Sequence, residues 1–344
     1  MEPFTHAFTS LALARAGGRR LPRFGAAMMI VAGLAPDLDY VTYFAGPRAF
    51  LHLHRAALHS IAGSIVIAFA VAAAFCAIDR KYPQKKKAFS QVIAPLGFGA
   101  ALICSAIGAA GHMLLDLASG VGVQLLWPFH THWSGLEIIG DLDLWILLLL
   151  VCGLLLPLLF GLVNEEVGAR KKGPRGRVAA LVTLALIAAY FGWRAELHSR
   201  AADLLLSREY HARVALSAAA FPASSMPYQW RGVVETDNTM ELIDVALGPQ
   251  DEFDSARSVT IYKPPESPAL AAGENSALAR EFLLYAKVPF AQVRPHEAGF
   301  QVEIHDLRFA EGDQQPANIF VRMEYNSRIQ LQRSGYFFAS NPNP

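Results

Sequence analysis

The sequence predicts an α-helical integral membrane domain, with about four long spans and an N-terminal helical hairpin, followed by a small β-rich (α+β) extramembrane domain. Three observations carry this reading. Hydrophobic residues make up 53% of the 344-residue chain and charged residues only 17%, against roughly 25% charged in ordinary soluble domains. The apolar excess is concentrated in four windows, residues 61–78, 89–117, 142–163 and 178–193, each near the roughly 20 residues that cross a hydrocarbon core. Past residue 195 the pattern changes to short runs in which apolar and polar residues alternate.

Two shorter apolar runs come first, 4–14 and 24–35, with Arg15, Arg19, Arg20 and Arg23 between them. They read as a helical hairpin with a basic tip. A cleavable signal peptide fits less well, because Glu2 replaces the usual basic start and Arg15 follows the apolar run instead of preceding it. Windows 61–78 and 178–193 are short for a span but carry no charge, whereas the helix of a soluble core normally keeps a charged face. Arg80, Lys81, Lys85, Lys86 and Lys87 follow the first window, and Arg170, Lys171, Lys172, Arg175 and Arg177 separate the third from the fourth. The positive-inside bias makes both loops cytoplasmic. Residues 51–60, residues 116–143 and everything after Trp193 then lie on the outer face. In a bacterial-type envelope this is an inner (cytoplasmic) membrane protein with an extracytoplasmic C-terminal domain.

Composition excludes several classes. Three Cys cannot staple a chain of this length, and Cys76, Cys104 and Cys152 fall inside the apolar windows as small packing residues. Lys+Arg 30 against Asp+Glu 29 leaves a net charge of +1, so no basic field draws nucleic acid. No Ser-His-Asp arrangement, phosphate-cradling Gly-rich loop or dinucleotide fingerprint is present in the sequence.

The polar residues of the first 195 positions cluster by type. Seven of the 11 His fall there between His6 and His132, together with Asp37, Asp39, Asp116, Asp141 and Asp143. On the topology above, His6, Asp37 and Asp39 lie at the outer ends of the hairpin. His59 precedes the first window, His112 and Asp116 end the second, and Asp141 and Asp143 begin the third. Ionisable groups at a membrane edge are costly and need partners, and a divalent metal satisfies several imidazoles and carboxylates at once. That donor set suits zinc, with manganese or iron as alternatives, and one or two ions. His112 and Asp116, four apart, share a helix face and offer two ligands to one ion, or one intrahelical hydrogen bond. Asp37 and Asp39, after Pro36, either chelate, bridge two ions or cap a helix. His54 and His59 flank Arg55 at a spacing that does not share one helix face, so one reads as ligand and the other as an acid–base group. Arg55 reads as a clamp for substrate phosphate or carboxylate, or as an interfacial Arg. Trp127-Pro128-Phe129-His130 and His132-Trp133 form an interfacial aromatic belt or the wall of a lipid-facing pocket. His52, His130 and His132 read as interfacial polar residues.

The ordered set Thr5-His6, Pro36-Asp37-Leu38-Asp39, His54-Arg55-x-x-x-His59-Ser60, Gly111-His112-x-x-x-Asp116, Trp127-Pro128-Phe129 and Asp141-x-Asp143 resembles the YdjM-like family of membrane-bound metal-dependent hydrolases, over roughly residues 1–195. That family is in turn distantly similar to the zinc-dependent phospholipase C and single-strand nuclease superfamily. The resemblance implies a helical fold, phosphoester hydrolysis, and metal ligation by His6, Asp37 or Asp39, His59, His112 and Asp116, with His54 and Arg55 nearby. Asp141 and Asp143 would stand behind these ligands.

The remaining chain divides into an amphipathic helix and linker, 196–227, and a β-rich domain, 228–344. Residues 194–220 read as a helix continuing the last span, and the Pro- and Ser-punctuated 221–228 as the linker. Strands are expected at 228–235, 240–247, 258–262, 300–309, 319–325 and 329–333, with one helix at 278–287. His296 and His305 are isolated and read as strand or surface residues.

The expected function is a membrane-bound metal-dependent hydrolase, a phosphoesterase acting on an amphiphilic or lipid-linked phosphate at the outer boundary. Asp37 or Asp39 would be the general base, His54 or His59 the acid, and Arg55 the holder of substrate charge. Membrane lipids are the expected partners, and nucleic acid is not. Two rivals are a non-catalytic protein with a structural metal and a partner-binding β-domain, and a metal or proton transporter. Transport needs polar groups through the membrane depth, and windows 61–78 and 178–193 lack charged ones.

Overall fold

In the computed structural model, residues 1–82, 95–166, 176–223, 226–248, 253–296, 299–310 and 319–338 are described. The chain forms two compact units. The first comprises Met1–Asp39, Arg55–His130 and Ser134–Trp193; the second comprises Tyr40–His54, Thr131–Trp133 and Arg194–Pro344.

The first unit is helical. Helix α1 (Pro3–Gly17) opens with Pro at its first position, where the missing N–H costs nothing. With α2 (Gly25–Leu34) it makes the expected N-terminal hairpin. After the hairpin and a 3₁₀ stretch (Pro36–Ala45), a short α3 (Pro47–Leu53) belongs to the second unit. Helix α4 (Ile61–Lys81) starts at Ser60, whose Oγ accepts from Gly63 N at 2.9 Å. Then follow α5 (Phe98–Ala118), α6 (Leu144–Glu166), with Pro157 inside it, and α7 (Arg177–Leu206). Among the described residues α4, α5 and α7 are long and apolar enough to cross a membrane, and α6 has a shorter apolar stretch, Leu144–Phe160. Of the second window, residues 95–97 are described as non-helical and α5 begins at Phe98. Lys85, Lys86, Lys87, Arg170, Lys171, Lys172 and Arg175 lie outside the described residues.

Glycine decides how tightly α2 and α5 meet. A Cβ on Gly108 would stand 2.2 Å from the Met29 carbonyl oxygen, and one on Gly33 would stand 2.1 Å from Ser10 Oγ. Small residues at these crossings let helix backbones touch, as is usual within a membrane. Around this contact Met28, Met29, Ala32, Ile67, Ala72 and Cys104 form a buried core.

The second unit holds two four-stranded antiparallel meanders. The first is β3 (Ser217–Pro222), β4 (Gln229–Glu235), β5 (Thr239–Ala246) and β6 (Val259–Tyr262); the second is β7 (Pro289–His296), β8 (Gly299–Asp306), β9 (Ile319–Asn326) and β10 (Leu331–Phe338). A two-stranded ribbon, β1 (Glu209–Tyr210) and β2 (Arg213–Val214), precedes them. Apolar residues of the two meanders share a core, with Phe221, Val233, Met240 and Leu242 on one side and Phe290 and Leu307 on the other.

Three expectations need correction here. The helix expected over 194–220 ends at Leu206, and strand begins at Glu209. The alanine run of β3 favours helix by propensity, yet six consecutive residues pair with β4. Strand β7, unexpected because it contains Pro289 and Pro295, is an edge strand paired, among the described residues, with β8 alone, the place where proline is tolerated. An unexpected helix, α8 (Pro268–Glu274), precedes the one expected at 278–287, which is α9 (Ala277–Leu283) and ends four residues earlier than expected; Ser267 and Ser276 cap them.

The excursion Tyr40–His54 packs within this second unit. Arg48 and His52 both meet Glu281, at 3.2 and 2.6 Å, and Tyr43 packs on Phe338. Trp133 stands edge-on to Tyr285.

Candidate metal centre

Four segments of the first unit deliver imidazole and carboxylate to one place. α1 brings His6, the 3₁₀ stretch brings Asp37 and Asp39, the turn before α4 brings His59, and the last turns of α5 bring His112 and Asp116. His59 Nε2 and His112 Nε2 each stand 3.2 Å from Asp116 Oδ2, and 4.0 and 3.9 Å from Asp37 Oδ1. The His6 ring stacks on that of His112 with centroids 3.7 Å apart, and its Nε2 is 3.4 Å from Asp116 Oδ1. The Met1 amine also pairs with Asp116 Oδ1. Two triads, His6–Asp37–His112 and His59–His112–Asp116, each have their ligand atoms within 4.8 Å of one another.

The imidazoles are oriented from behind. His112 Nδ1 lies 2.8 Å from the Gly33 carbonyl, so it donates there and leaves Nε2 as the electron-pair donor. That bond follows from packing, because Gly108 is one turn before His112 on the same face and admits the α2 backbone. His59 Nδ1 meets Asp39 Oδ2 at 3.0 Å, which likewise turns Nε2 inward. A ligating His held through its other nitrogen by a carbonyl or carboxylate is the usual arrangement in metal sites. Asp37 and Asp39 therefore separate: Asp37 faces the triads and Asp39 stands behind His59.

Burial makes the arrangement costly without a further partner. His6, His59, His112 and Asp116 are each 1% exposed. His6 Nδ1 and Asp37 Oδ2 are buried with no hydrogen-bond partner, while His6 Nε2, His112 Nε2 and Asp116 Oδ2 are buried with only imidazole–carboxylate approaches of 3.2–3.4 Å, and an unsatisfied buried atom costs about 1–3 kcal/mol. The Arg55 guanidinium stands beside Asp116 and Asp141, the Met1 amine pairs with Asp116, and Asp39 accepts from the Arg55 backbone N–H, so Asp37, Asp39, Asp116 and Asp141 are set against two cationic groups. With neutral imidazoles the cluster carries a surplus of two negative charges, which a dication balances. Burial pushes the Asp37 carboxyl above its ordinary value. Burial also opposes charge on His59, but its bonds to Asp116 and Asp39 outweigh that and raise its pKa. The residues present fit a divalent ion with nitrogen and oxygen ligands.

Other expected site residues lie elsewhere or do something different. Arg55 is 3% exposed, and its terminal nitrogens meet Ser119 Oγ at 3.0 Å and Asp141 Oδ1 at 3.1 Å, so its fork is not open to a substrate. The Asp141 side chain is half-exposed. Burial works to raise its pKa, but the charge of Arg55 prevails and lowers it. Asp143 caps α6, accepting from Trp145 N at 3.0 Å, Ile146 N at 3.1 Å and Tyr190 Oη at 2.9 Å. His54 belongs to the second unit and stacks on Phe50. His130 and His132 are exposed. In the second unit His305 lies on strand β8, within the strand-or-surface reading, and is 2% exposed, stacked on Phe320 beside Glu303.

Sequence reasoning missed the Gly33 carbonyl, Gly108, Ser119 and the Met1 amine. Only the glycines left a trace, as small residues inside apolar runs.

The family model described as YdjM inner membrane protein matches residues 1–200, a stretch that includes every residue of the cluster. No curated protein and no solved structure matches the chain.

Proposed function

The chain belongs to the YdjM inner membrane protein family, and from that premise we propose that it is a membrane-bound metal-dependent hydrolase, a phosphoesterase for an amphiphilic or lipid-linked phosphate. The observation that carries the reading is the convergence of the buried triads His6–Asp37–His112 and His59–His112–Asp116, in which His6 Nδ1 and Asp37 Oδ2 have no hydrogen-bond partner. His6, Asp37, His59, His112 and Asp116 are the residues that would hold one or two divalent ions, zinc first. The likeness to the zinc-dependent phospholipase C and nuclease superfamily is part of this proposal.

The chemistry a bound divalent ion supplies is Lewis acidity, which makes water acidic near neutral pH and polarises a phosphoryl oxygen. The protein's own groups supply the rest. Asp39 and the Gly33 carbonyl lock two imidazoles in the tautomer that points Nε2 inward. Asp37, with Oδ2 uncommitted, is the carboxylate that orients an attacking water and takes its proton.

Sidedness is supported from within the first unit. α1 begins near the cluster with His6 and ends in basic residues, where Arg177 Nε donates to the Ala16 carbonyl at 3.0 Å. α4 leaves the cluster at His59 and ends at Arg80 and Lys81. Its 21 residues span about 31 Å, so the basic end and the cluster belong to opposite membrane faces. The positive-inside bias then favours an outer-face site, where the substrate is a lipid-borne phosphate.

The test is elemental mass spectrometry on detergent-purified protein beside His112→Ala and Asp116→Ala. The expected result is one or two zinc, manganese or iron ions per wild-type chain, lost in both variants, with phosphate release from lipid phosphates lost in parallel. A folded wild type that retains no metal after reconstitution overturns the proposal.

A further inference from the structure

We propose that Arg55 is the positioning residue of the metal centre, holding the carboxylates that face or orient the ligands, and that it does not bind substrate. The inference rests on the metal-centre reading above.

Four bonds converge on this one residue. Its backbone N–H donates to Asp39 Oδ2 at 2.9 Å, the same oxygen that meets His59 Nδ1 at 3.0 Å. Its carbonyl accepts from Gln124 N at 2.9 Å. One terminal nitrogen donates to Ser119 Oγ, and Ser119 Oγ donates onward to the Asp116 carbonyl at 2.8 Å. The other donates to Asp141 Oδ1 and stands 3.8 Å from Asp116 Oδ1. Arg55 therefore ties the 3₁₀ stretch, the end of α5 and the segment before α6 together.

Two further features separate a positioning role from a substrate clamp. The side chain is buried, and the fork that would take two phosphate oxygens already holds Ser119 and Asp141. The backbone has φ +58°, a left-handed conformation costly for a non-glycine residue. It is held on both sides of the peptide, by Asp39 and Gln124. Such a conformation persists where the surroundings over-determine it, and it aims the N–H at Asp39 while the side chain runs toward Asp141.

A lysine retains the charge but its compact ammonium lacks the planar fork that reaches two partners. The test is zinc affinity by chelator competition, with the absorption spectrum of the cobalt-loaded protein, for wild type, Arg55→Gln, Arg55→Lys and Ser119→Ala. Loss of a group that orients ligands typically costs about 10–100-fold in metal affinity. Arg55→Gln is expected within that range and Arg55→Lys near 10-fold. Ser119→Ala is expected to lose less, and the cobalt spectrum is expected to change in both Arg55 variants. If Arg55→Gln does not purify as a folded species, Arg55→Lys and Ser119→Ala decide. Wild-type zinc affinity and an unchanged cobalt spectrum in the Arg55 variants, with a raised KM for a phosphoester, would overturn the inference and leave the metal centre standing. A wild type that binds neither zinc nor cobalt overturns both.

Discussion

Gly108→Ala tests the link between helix packing and the candidate site. The added Cβ would lie 2.2 Å from Met29 O and 2.9 Å from Met29 C and Cα. All three are backbone atoms, so no side chain can swing away and α2 must retreat by about 1 Å to reach ordinary contact. Overpacking of this kind costs about 1–3 kcal/mol. The same movement stretches the bond from His112 Nδ1 to Gly33 O, now 2.8 Å, past hydrogen-bonding range, which adds about 1 kcal/mol. Alanine also gains up to about 1 kcal/mol of helix propensity over glycine. Gly99→Ala removes that ambiguity, because Gly99 lies on the same helix and its Cβ would meet nothing within 4 Å. The difference between the two variants therefore isolates the clash and the lost bond, about 2–4 kcal/mol. Unfolding in detergent followed by circular dichroism measures the stability, and chelator competition measures zinc. The expected result is a destabilised Gly108→Ala with zinc affinity reduced at least 10-fold, beside a Gly99→Ala equal to wild type or better. Equal stability and equal zinc affinity in the two variants would refute the close α2–α5 approach and its role in orienting His112.

Other expectations separate the roles assigned above. Asp39→Asn keeps the shape but weakens the hold on His59 Nδ1, so zinc affinity should fall about 10–100-fold without vanishing; chelator competition measures it, and an unchanged affinity would deny Asp39 that role. Ser60→Ala removes the cap of α4 and should cost about 1 kcal/mol, read by thermal unfolding in detergent. In the second unit, burial works to raise the Glu303 carboxyl, but His305 and Arg322 hold it down to about 2, against an ordinary 4.5. A depressed folded pKa stabilises above pH 4.5 and the benefit is lost as pH falls toward 2. Acid unfolding of the β-rich unit should therefore be flatter over that window in Glu303→Gln, and parallel curves would count against the Glu303 network. A C-terminal fusion to a reporter that works only outside the cytoplasm should be active; activity of a cytoplasm-only reporter at the same position would reverse the assigned sidedness.

Much of the helical unit was legible in the chain. Long apolar windows mark α4, α5 and α7 because a helix in hydrocarbon presents apolar residues to the lipid. The same apolar background makes His6, Asp37, Asp39, His59, His112 and Asp116 conspicuous as candidate ligands. The β-rich unit was harder to read. Its middle strands alternate, but β3 is an alanine run and β7 carries two prolines. Their state depends on pairing with β4 and β8 and not on local preference.

Roles within the cluster were not legible, because residue type and spacing do not say which atom faces which. Asp37 and Asp39 are the same residue two positions apart, and only the fold sends one toward the triads and the other behind His59. Arg55 reads equally as a clamp or an interfacial anchor until Ser119, Asp141 and Asp39 are seen to occupy it. Asp143 looks like a further ligand until α6 begins on it. The sequence by itself determined the helical membrane character of the first unit, the family and the inventory of candidate metal-binding groups, since hydrophobicity and donor chemistry are local properties of side chains. The tertiary structure decided which nitrogen each imidazole presents, which carboxylates meet and what Arg55 holds, because these depend on distances between segments up to 115 positions apart, as for Met1 and Asp116, that packing alone sets.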